Sequence, residues 1–312
     1  MYFAERIPVP RLDGEYVHIY QPQPAVYWGP NTRSFKNGQL YSEWITNDFS
    51  VIKDRNGLWH AIGITHPAPP GFRSAFDFSC VDLHESESQF YHTVFDGKLS
   101  QLLEGAQMEE KSIFFWASQR PDECPECYAP AVFRHGDLYR MIYTPVCMKM
   151  AVSPDLDQWE TKGKLFDPMR GNFWMRDPYV YQEDGVFYII YNDEEIIWVR
   201  KTEDFVHISE PEVLMPHMFS KKASMESPIL FKREGWYYLL WSIYDGQNSC
   251  YDNRTFVFAS RTLNGFHDAA PVAMLPGHAP EVVCEDGQWY IFSTHYPENG
   301  LSIAKLKWEI LF

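Results

Sequence analysis

The chain has 312 residues, of which 45% are hydrophobic and 17% aromatic, and its formal net charge is −15. This negative charge argues against nucleic acids and anionic membranes as partners, because both are polyanions that bind clusters of Lys and Arg. No stretch approaches the roughly 18 apolar residues of a membrane-spanning helix. The N-terminus has no basic run followed by an apolar segment, so we see no signal peptide and expect a cytoplasmic protein.

Residues 1–46 form a proline-rich lead-in with one strand-like stretch, YVHIY at residues 16–20. From residue 47 to 308 a unit then recurs: a short apolar strand that opens with proline, a turn glycine, and an aromatic strand. Successive marker prolines are 48, 50 and 52 residues apart, at Pro130, Pro178, Pro228 and Pro280. Strand-and-turn repeats near fifty residues are typical of β-propellers. The five copies predict an all-β, five-bladed β-propeller that forms a single domain over residues 1–312.

The first copy differs from the others. Phe49 stands in the marker position, and Pro130 follows 81 residues later, about thirty more than the period. We therefore expect an irregular insertion at residues 66–112, with a short helix near residues 99–104. Since a propeller must join its two ends, we also expect the strand at residues 16–20 to pair with the last copy and close the ring.

Three carboxylates occupy matching places in three copies. Asp48 and Asp177 directly precede the marker, and Glu226 lies two residues before Pro228. The first strand of every propeller blade lines the central channel, so these acids should converge at one mouth of it. They can be ordinary turn caps. Their shared register instead favours a functional site, because carboxylates at an axial position cost desolvation and mutual repulsion.

Carboxylates at a channel mouth are what glycoside hydrolysis requires. One carboxylic acid protonates the leaving oxygen, and a second carboxylate activates water or attacks the anomeric carbon. A third carboxylate nearby raises the pKa of the acid and keeps it protonated near neutral pH.

These motifs resemble those of the five-bladed propellers of glycoside hydrolase family 43. The resemblance covers residues 45–308 and is carried by DFSVI at 48–52, YAP at 128–130, RDP at 176–178, ESP at 226–228, HAP at 278–280 and SPDLDQW at 153–159. It implies that Asp48 is the general base, Asp177 the residue that orients the acid and modulates its pKa, and Glu226 the general acid. It also implies a structural calcium, or its water shell, beside His278 in the fifth blade, with no cofactor required for the reaction.

The sequence therefore predicts an inverting, exo-acting glycosidase on arabinofuranosides or xylosides. Residues around Asp48 and Asp177 also resemble the retaining fructosidases of family 32, in which Asp48 would be a nucleophile. Phe49 and Ser50 break that family's first motif. A glycan-binding propeller without turnover is a further alternative, because propellers host many functions.

Several other side chains are candidates for sugar contacts. Arg176 can bond a substrate hydroxyl or pair with the acids around it, and an aromatic ring can stack on a sugar. The predicted substrate-binding residues are Trp28, Trp116, Tyr128, Trp174 and Arg176. Cys124 and Cys127 are the only close pair of the six cysteines. Without a second pair or spaced histidines they predict buried thiols rather than a zinc site.

Overall fold

The structure is a computed structural model that describes residues 6–69, 71, 86–169, 175–193, 195–217, 223–245 and 250–311. Over these residues, four four-stranded antiparallel sheets and one five-stranded antiparallel sheet form the five blades of a β-propeller, and a two-stranded hairpin lies outside them. The innermost strands of successive blades contact one another in a closed cycle, which confirms the predicted fold.

The strands in chain order are β1 (Ile7–Leu12), β2 (Val17–Tyr20), β3 (Ala25–Tyr27), β4 (Gln39–Tyr41), β5 (Trp44–Lys53), β6 (Trp59–Pro67), β7 (Phe90–Phe95), β8 (Glu109–Phe114), β9 (Tyr128–His135), β10 (Leu138–Thr144), β11 (Met148–Ser153), β12 (Glu160–Phe166), β13 (Arg176–Glu183), β14 (Val186–Asp193), β15 (Ile196–Thr202), β16 (Glu212–Met215), β17 (Ala223–Arg233), β18 (Trp236–Asp245), β19 (Cys250–Ser260), β20 (Ala273–Pro276), β21 (His278–Glu285), β22 (Gln288–Thr294) and β23 (Leu301–Leu311). Blades 1 to 4 are β5–β8, β9–β12, β13–β16 and β17–β20, and blade 5 has the order β1–β23–β22–β21.

Tight turns join the first two strands of the blades. In blades 3 and 5 the two turn residues are Asp184–Gly185 and Asp286–Gly287, and all four have positive φ, between 51° and 82°. Asp followed by Gly favours this type I′ geometry, whose twist matches that of the flanking strands. The repeated turn glycine of the sequence therefore marks the hairpin at the start of each blade.

The apolar core lies between neighbouring blades rather than in one central mass. Consecutive residues of a middle strand point to opposite faces and enter different clusters. Ile189 packs toward blade 2 and Ile190 toward blade 4, and Leu239 and Leu240 repeat this pattern in the next blade. Burying such a side chain contributes about 1.5–3 kcal/mol. This double coverage explains the unbroken apolar runs of the middle strands.

Both ends of the described chain join blade 5. β1 pairs with β23 from Ile7↔Leu311 to Leu12↔Leu306, and β2 pairs with the beginning of the same strand at Val17↔Ile303. The strand expected at residues 16–20 is thus β2, and it lies on the final strand of the last blade.

The expected irregular insertion at residues 66–112 is wrong in its extent. β7 and the first residues of β8 fall within it and are regular outer strands of blade 1. The sequence pattern did not indicate β7, because this strand contains polar residues. His92 and Thr93 are nevertheless buried in the core, where each has a hydrogen-bonding partner. The irregular part that the structure describes lies between β6 and β7.

Helical structure is sparse in the described residues. The helix expected near residues 99–104 is α1 (Leu99–Leu103), and a single 3-10 turn follows at Ala117–Gln119. Neither is long or apolar enough to cross a membrane, and the same holds for every helix in the part of the chain that the structure describes.

Candidate active site

Each inner strand presents two consecutive residues at the same mouth of the channel. The pairs are Asn47–Asp48, Tyr128–Ala129, Arg176–Asp177, Glu226–Ser227 and His278–Ala279. In blades 2 to 5 the second residue has a left-handed φ of 42–53°. Such a bulge re-aims side chains at the end of a strand. The register predicted from the sequence is therefore a repeated backbone feature.

Ser227 connects two of the predicted acids. Its hydroxyl donates a hydrogen bond to Oδ1 of Asp48, and its backbone N–H donates to Oδ2 of Asp177 at 3.1 Å. Because Glu226 precedes Ser227 in the same strand, all three predicted acids lie at one mouth of the channel. Asp177 and Glu226 are buried, with 6% and 9% of their surface exposed, and Asp48 is half-buried.

Arg176 lies between Asp177 and Glu226. Its Nε is 3.4 Å from Oδ2 of Asp177, and its Nη2 donates to Oε1 of Glu226 at 3.4 Å. Arg176 also donates to the hydroxyl of Ser224, near the start of the strand that carries Glu226. The guanidinium therefore fixes both carboxylates relative to each other. Of the two roles considered for Arg176, a substrate contact or an ion pair with the surrounding acids, this contact is the ion pair.

The surroundings raise the pKa of all three acids. Burial, the charge of Asp177 and the charge of Glu87 raise the pKa of Asp48 to about 7, against a lowering by the Ser227 hydroxyl. Burial raises the pKa of Glu226 well above its usual range, and the lowering by Arg176 does not offset it. Burial also raises the pKa of Asp177 although Arg176 and a backbone N–H lower it. Glu226 is thus suited to hold a proton near neutral pH.

Two further carboxylates at the channel were missed in the sequence. Glu281, two residues after Ala279, lines the channel, and burial together with Asp48 raises its pKa well above the usual range. Glu87 comes from the segment before β7, and its Oε1 accepts a hydrogen bond from Nδ2 of Asn47 at 3.4 Å. The repeat register could have indicated Glu281. Glu87 lies outside every repeat, so no spacing pointed to it.

A small cavity of about 20 Å³ lies between the inner strands. Its polar lining comes from Asp48, Asp177, Ser227 and Glu281, and proline and alanine side chains supply most of the rest. That volume has room for one water molecule.

The predicted sugar-contacting aromatics occupy different environments. Tyr128 is half-buried in the strand position that corresponds to Glu226, and burial raises the pKa of its phenol. Trp116 is also half-buried and packs 6.1 Å from the ring of Tyr27 under the β3–β4 hairpin. Trp28 is 53% exposed on that hairpin. Trp174 lies outside the described residues.

His278 is fully buried in blade 5, with its ring 5.9 Å from that of His295. Burial and the nearby His278 and His66 hold the pKa of His295 well below its usual range, so imidazoles surround this position. Calcium takes six to eight oxygen ligands, which the imidazole rings alone do not supply. Among the described residues, no group of three or more His, Cys, Asp or Glu is placed to hold a metal ion. The calcium stays a prediction from the resemblance.

Cys124 and Cys127, the close pair of the sequence, are free cysteines. Burial raises the pKa of Cys127 to about 12, which keeps it a thiol. The thiolate that a metal ligand requires is disfavoured there.

Comparison with known proteins gives one family. The sequence model of "Glycosyl hydrolases family 43" matches residues 105–305, which is more than half of the chain. Among curated proteins, none matches the sequence.

Solved structures share the fold at low sequence identity. A β-xylosidase, RS223, is 13% identical with a TM-score of 0.61, and the match covers 84% of this chain and 92% of that chain. A GH43_1 enzyme from Xanthomonas citri complexed with xylotriose is 14% identical with a TM-score of 0.61, covering 85% and 88%. An exo-1,5-α-L-arabinanase from a bovine ruminal metagenomic library is 16% identical with a TM-score of 0.57, covering 86% and 93%.

Proposed function

The chain belongs to glycosyl hydrolase family 43, and on this premise we propose that it releases terminal arabinofuranosyl or xylosyl units with inversion of configuration. That it hydrolyses O-glycosidic bonds follows from the family. The sugar, the exo action and the stereochemistry are the proposal. Support for the sugars comes from the fold shared with a β-xylosidase and an exo-arabinanase.

The proposed mechanism uses three acids in separate roles. Glu226 protonates the glycosidic oxygen as its bond to the anomeric carbon breaks. Asp48 removes a proton from the water whose oxygen forms the new bond to that carbon. Asp177 holds Arg176 and the backbone N–H of Ser227, and so keeps Glu226 in place and adjusts its protonation. After turnover Glu226 is ionised and Asp48 protonated, and exchange with solvent restores the starting state.

The observation that carries this assignment is the bridge made by Ser227. One residue bonds Asp48 through its hydroxyl and Asp177 through its backbone, and it directly follows Glu226. The three acids therefore form one polar unit across three blades rather than three separate turn caps. The raised pKa of Glu226 fits an acid, and a pKa near 7 for Asp48 fits a base that works above neutral pH.

We further propose that Arg176 and Tyr128 contact the sugar at the channel mouth, and that Trp28, Trp116 and Trp174 offer rings for the rest of the substrate. The indole of Trp28, which is 53% exposed, is suited to stack on a sugar face. The carbohydrate is the partner that these residues imply.

Two experiments test the proposal. Wild type is first assayed on aryl arabinofuranoside, xyloside, galactoside and fructoside, and we expect turnover of the first or second. Proton NMR then follows the first-formed sugar, which should have the anomeric configuration opposite to that of the substrate. Retention, or a mass gain mapped to Asp48 with a fluorinated slow substrate, would instead establish Asp48 as a nucleophile.

Variants then assign the acids. Asp48→Asn should remove nearly all turnover while the fold is kept. Asp286→Asn is the matched control, because it makes the same chemical change in an exposed turn of blade 5. Equal activity of the two variants would overturn the role given to Asp48.

A further inference from the structure

The segment at residues 86–89, here called the mouth segment, is tied down at the channel mouth. The backbone N–H of Cys127 donates to the carbonyl of Glu87 at 2.8 Å, and Nη2 of Arg120 donates to the carbonyl of Ser88 at 3.2 Å. The side chain of Gln89 donates to the carbonyls of Thr65 and Ser86. These bonds attach the segment to β6 and to the strand entry of blade 2, so Glu87 has a fixed position.

The carboxylate of Glu87 points to the first inner strand. It is 3% exposed, accepts the hydrogen bond from Nδ2 of Asn47, and has Oε1 3.9 Å from Nε2 of His66. Asn47 directly precedes Asp48 in β5. A buried carboxylate this close to a channel acid must affect that acid through position, through charge, or through both.

We propose that Glu87 is a positioning residue for the candidate base: through Asn47 it fixes the strand position of Asp48, and its negative charge strengthens Asp48 as a base. This inference rests on the proposed function. It adds a residue from outside the repeats to the reaction, supplied by the insertion that distinguishes blade 1.

The electrostatic surroundings agree with the geometry. Glu87 raises the pKa of Asp48. Its effect is smaller than those of burial and Asp177, which also raise this pKa, and than that of the Ser227 hydroxyl, which lowers it. The other ionisable groups that act with Asp48 come from four strands and are Tyr91, Arg176, Glu226 and Glu281. Those that face Glu87 are His66, Cys127, Tyr128 and Asp177. Among the charged groups around Asp48, Glu87 is the one that the mouth segment supplies.

Two variants separate charge from position. Glu87→Gln keeps the length of the side chain and its acceptor for Asn47 but removes the charge. Glu87→Asp keeps the charge but shortens the reach to Asn47. Asp122→Asn, exposed in the loop before Cys127, is the control with the same loss of charge.

The first readout is the pH profile of kcat/KM on the best aryl glycoside, whose acidic limb reports the base of the free enzyme. Glu87→Gln should move this limb down by about half a pH unit, and the control should not move it. Glu87→Asp should keep the limb near the wild-type position and lower kcat several-fold. An unmoved limb in Glu87→Gln, or the same shift in Glu87→Asp, overturns the proposal.

The second readout needs no substrate. The carboxyl carbons of labelled aspartates are titrated by NMR, with Asp48→Asn used to assign the signal of Asp48. Its midpoint should fall in folded Glu87→Gln and stay in Glu87→Asp, and an unchanged midpoint in Glu87→Gln refutes the role of Glu87. If wild type cleaves none of the glycosides but the midpoint falls, the proposed sugar specificity fails while the effect of Glu87 on Asp48 stands.

Discussion

Ser227→Ala provides the most direct check of the site, because it removes one hydroxyl and predicts a shift of known sign. The hydroxyl of Ser227 donates to Asp48 and is the largest influence that lowers the pKa of this acid. A hydrogen bond to a charged group contributes about 1.5–3 kcal/mol, and about 1.4 kcal/mol corresponds to one pKa unit. The pKa of Asp48 should therefore rise from about 7 by roughly one to two units, toward the lower figure if water replaces the hydroxyl.

The assay is the pH profile of kcat/KM for wild type and Ser227→Ala. At pH values below the pKa of Asp48, only the enzyme with ionised Asp48 is active. The kcat/KM of the variant should therefore be about 10- to 100-fold lower than that of wild type at pH 6 and should recover much of the difference at high pH. Ser242→Ala is the matched control, since that buried hydroxyl accepts from the backbone N–H of Ala279 and shares a hydrogen bond with the hydroxyl of Thr255. A loss in Ser227→Ala that is equal at every pH, or a limb that moves to lower pH, would refute the role of this bridge.

Three further changes have expected outcomes. Glu226→Gln should lower turnover about 100-fold or more on glycosides with poor leaving groups and less on activated aryl glycosides, because only the former need its proton; equal losses on both would indicate a folding or binding defect. Burial and a neighbouring imidazole lower the pKa of His92 to about 3, below its value in the unfolded chain. The free energy of unfolding is therefore unaffected by this group above pH 6.5 and falls by up to about 1.4 kcal/mol per pH unit below pH 6.5. Melting temperatures of wild type should fall more steeply from pH 6.5 to 4 than those of His92→Gln. Arg120→Met should cost about 3–5 kcal/mol in urea unfolding, because it removes the buried guanidinium that pairs with Glu123 and bonds several backbone carbonyls. Exposed Arg134→Met should change little, and similar midpoints for these two variants would contradict that account.

The sequence predicted the parts of the fold that depend on local chemistry. The marker prolines and turn glycines specify hairpins, and the hairpins repeat with a period that few folds share. The same register located Asp48, Asp177 and Glu226 at one mouth, because equivalent or directly adjacent strand positions of a closed ring lie together.

What the sequence did not predict depends on contacts across blades. The sequence predicts an insertion where β7 lies, because the hydrogen bond that allows His92 inside a buried strand comes from another strand of the blade. In the sequence Ser227 is one residue of a repeat opening, and its link to Asp48 joins residues 179 positions apart. Glu87 has no repeat partner at all. Such pairs require the fold before they can be recognised.

The closure of the ring has a consequence for how the protein folds. Blade 5 takes β1 and β2 from one end of the chain and β23 from the other, so its sheet is complete only when segments about 300 residues apart have met. The entropy of closing so long a loop is lost before the blade gains its edge strands. During synthesis on the ribosome, blades 1 to 4 emerge while the outer edge of the last blade cannot yet exist. We expect the final docking of β1 to make unfolding cooperative, and an N-terminal truncation through residue 20 to expose the edge of β23 to pairing with another chain.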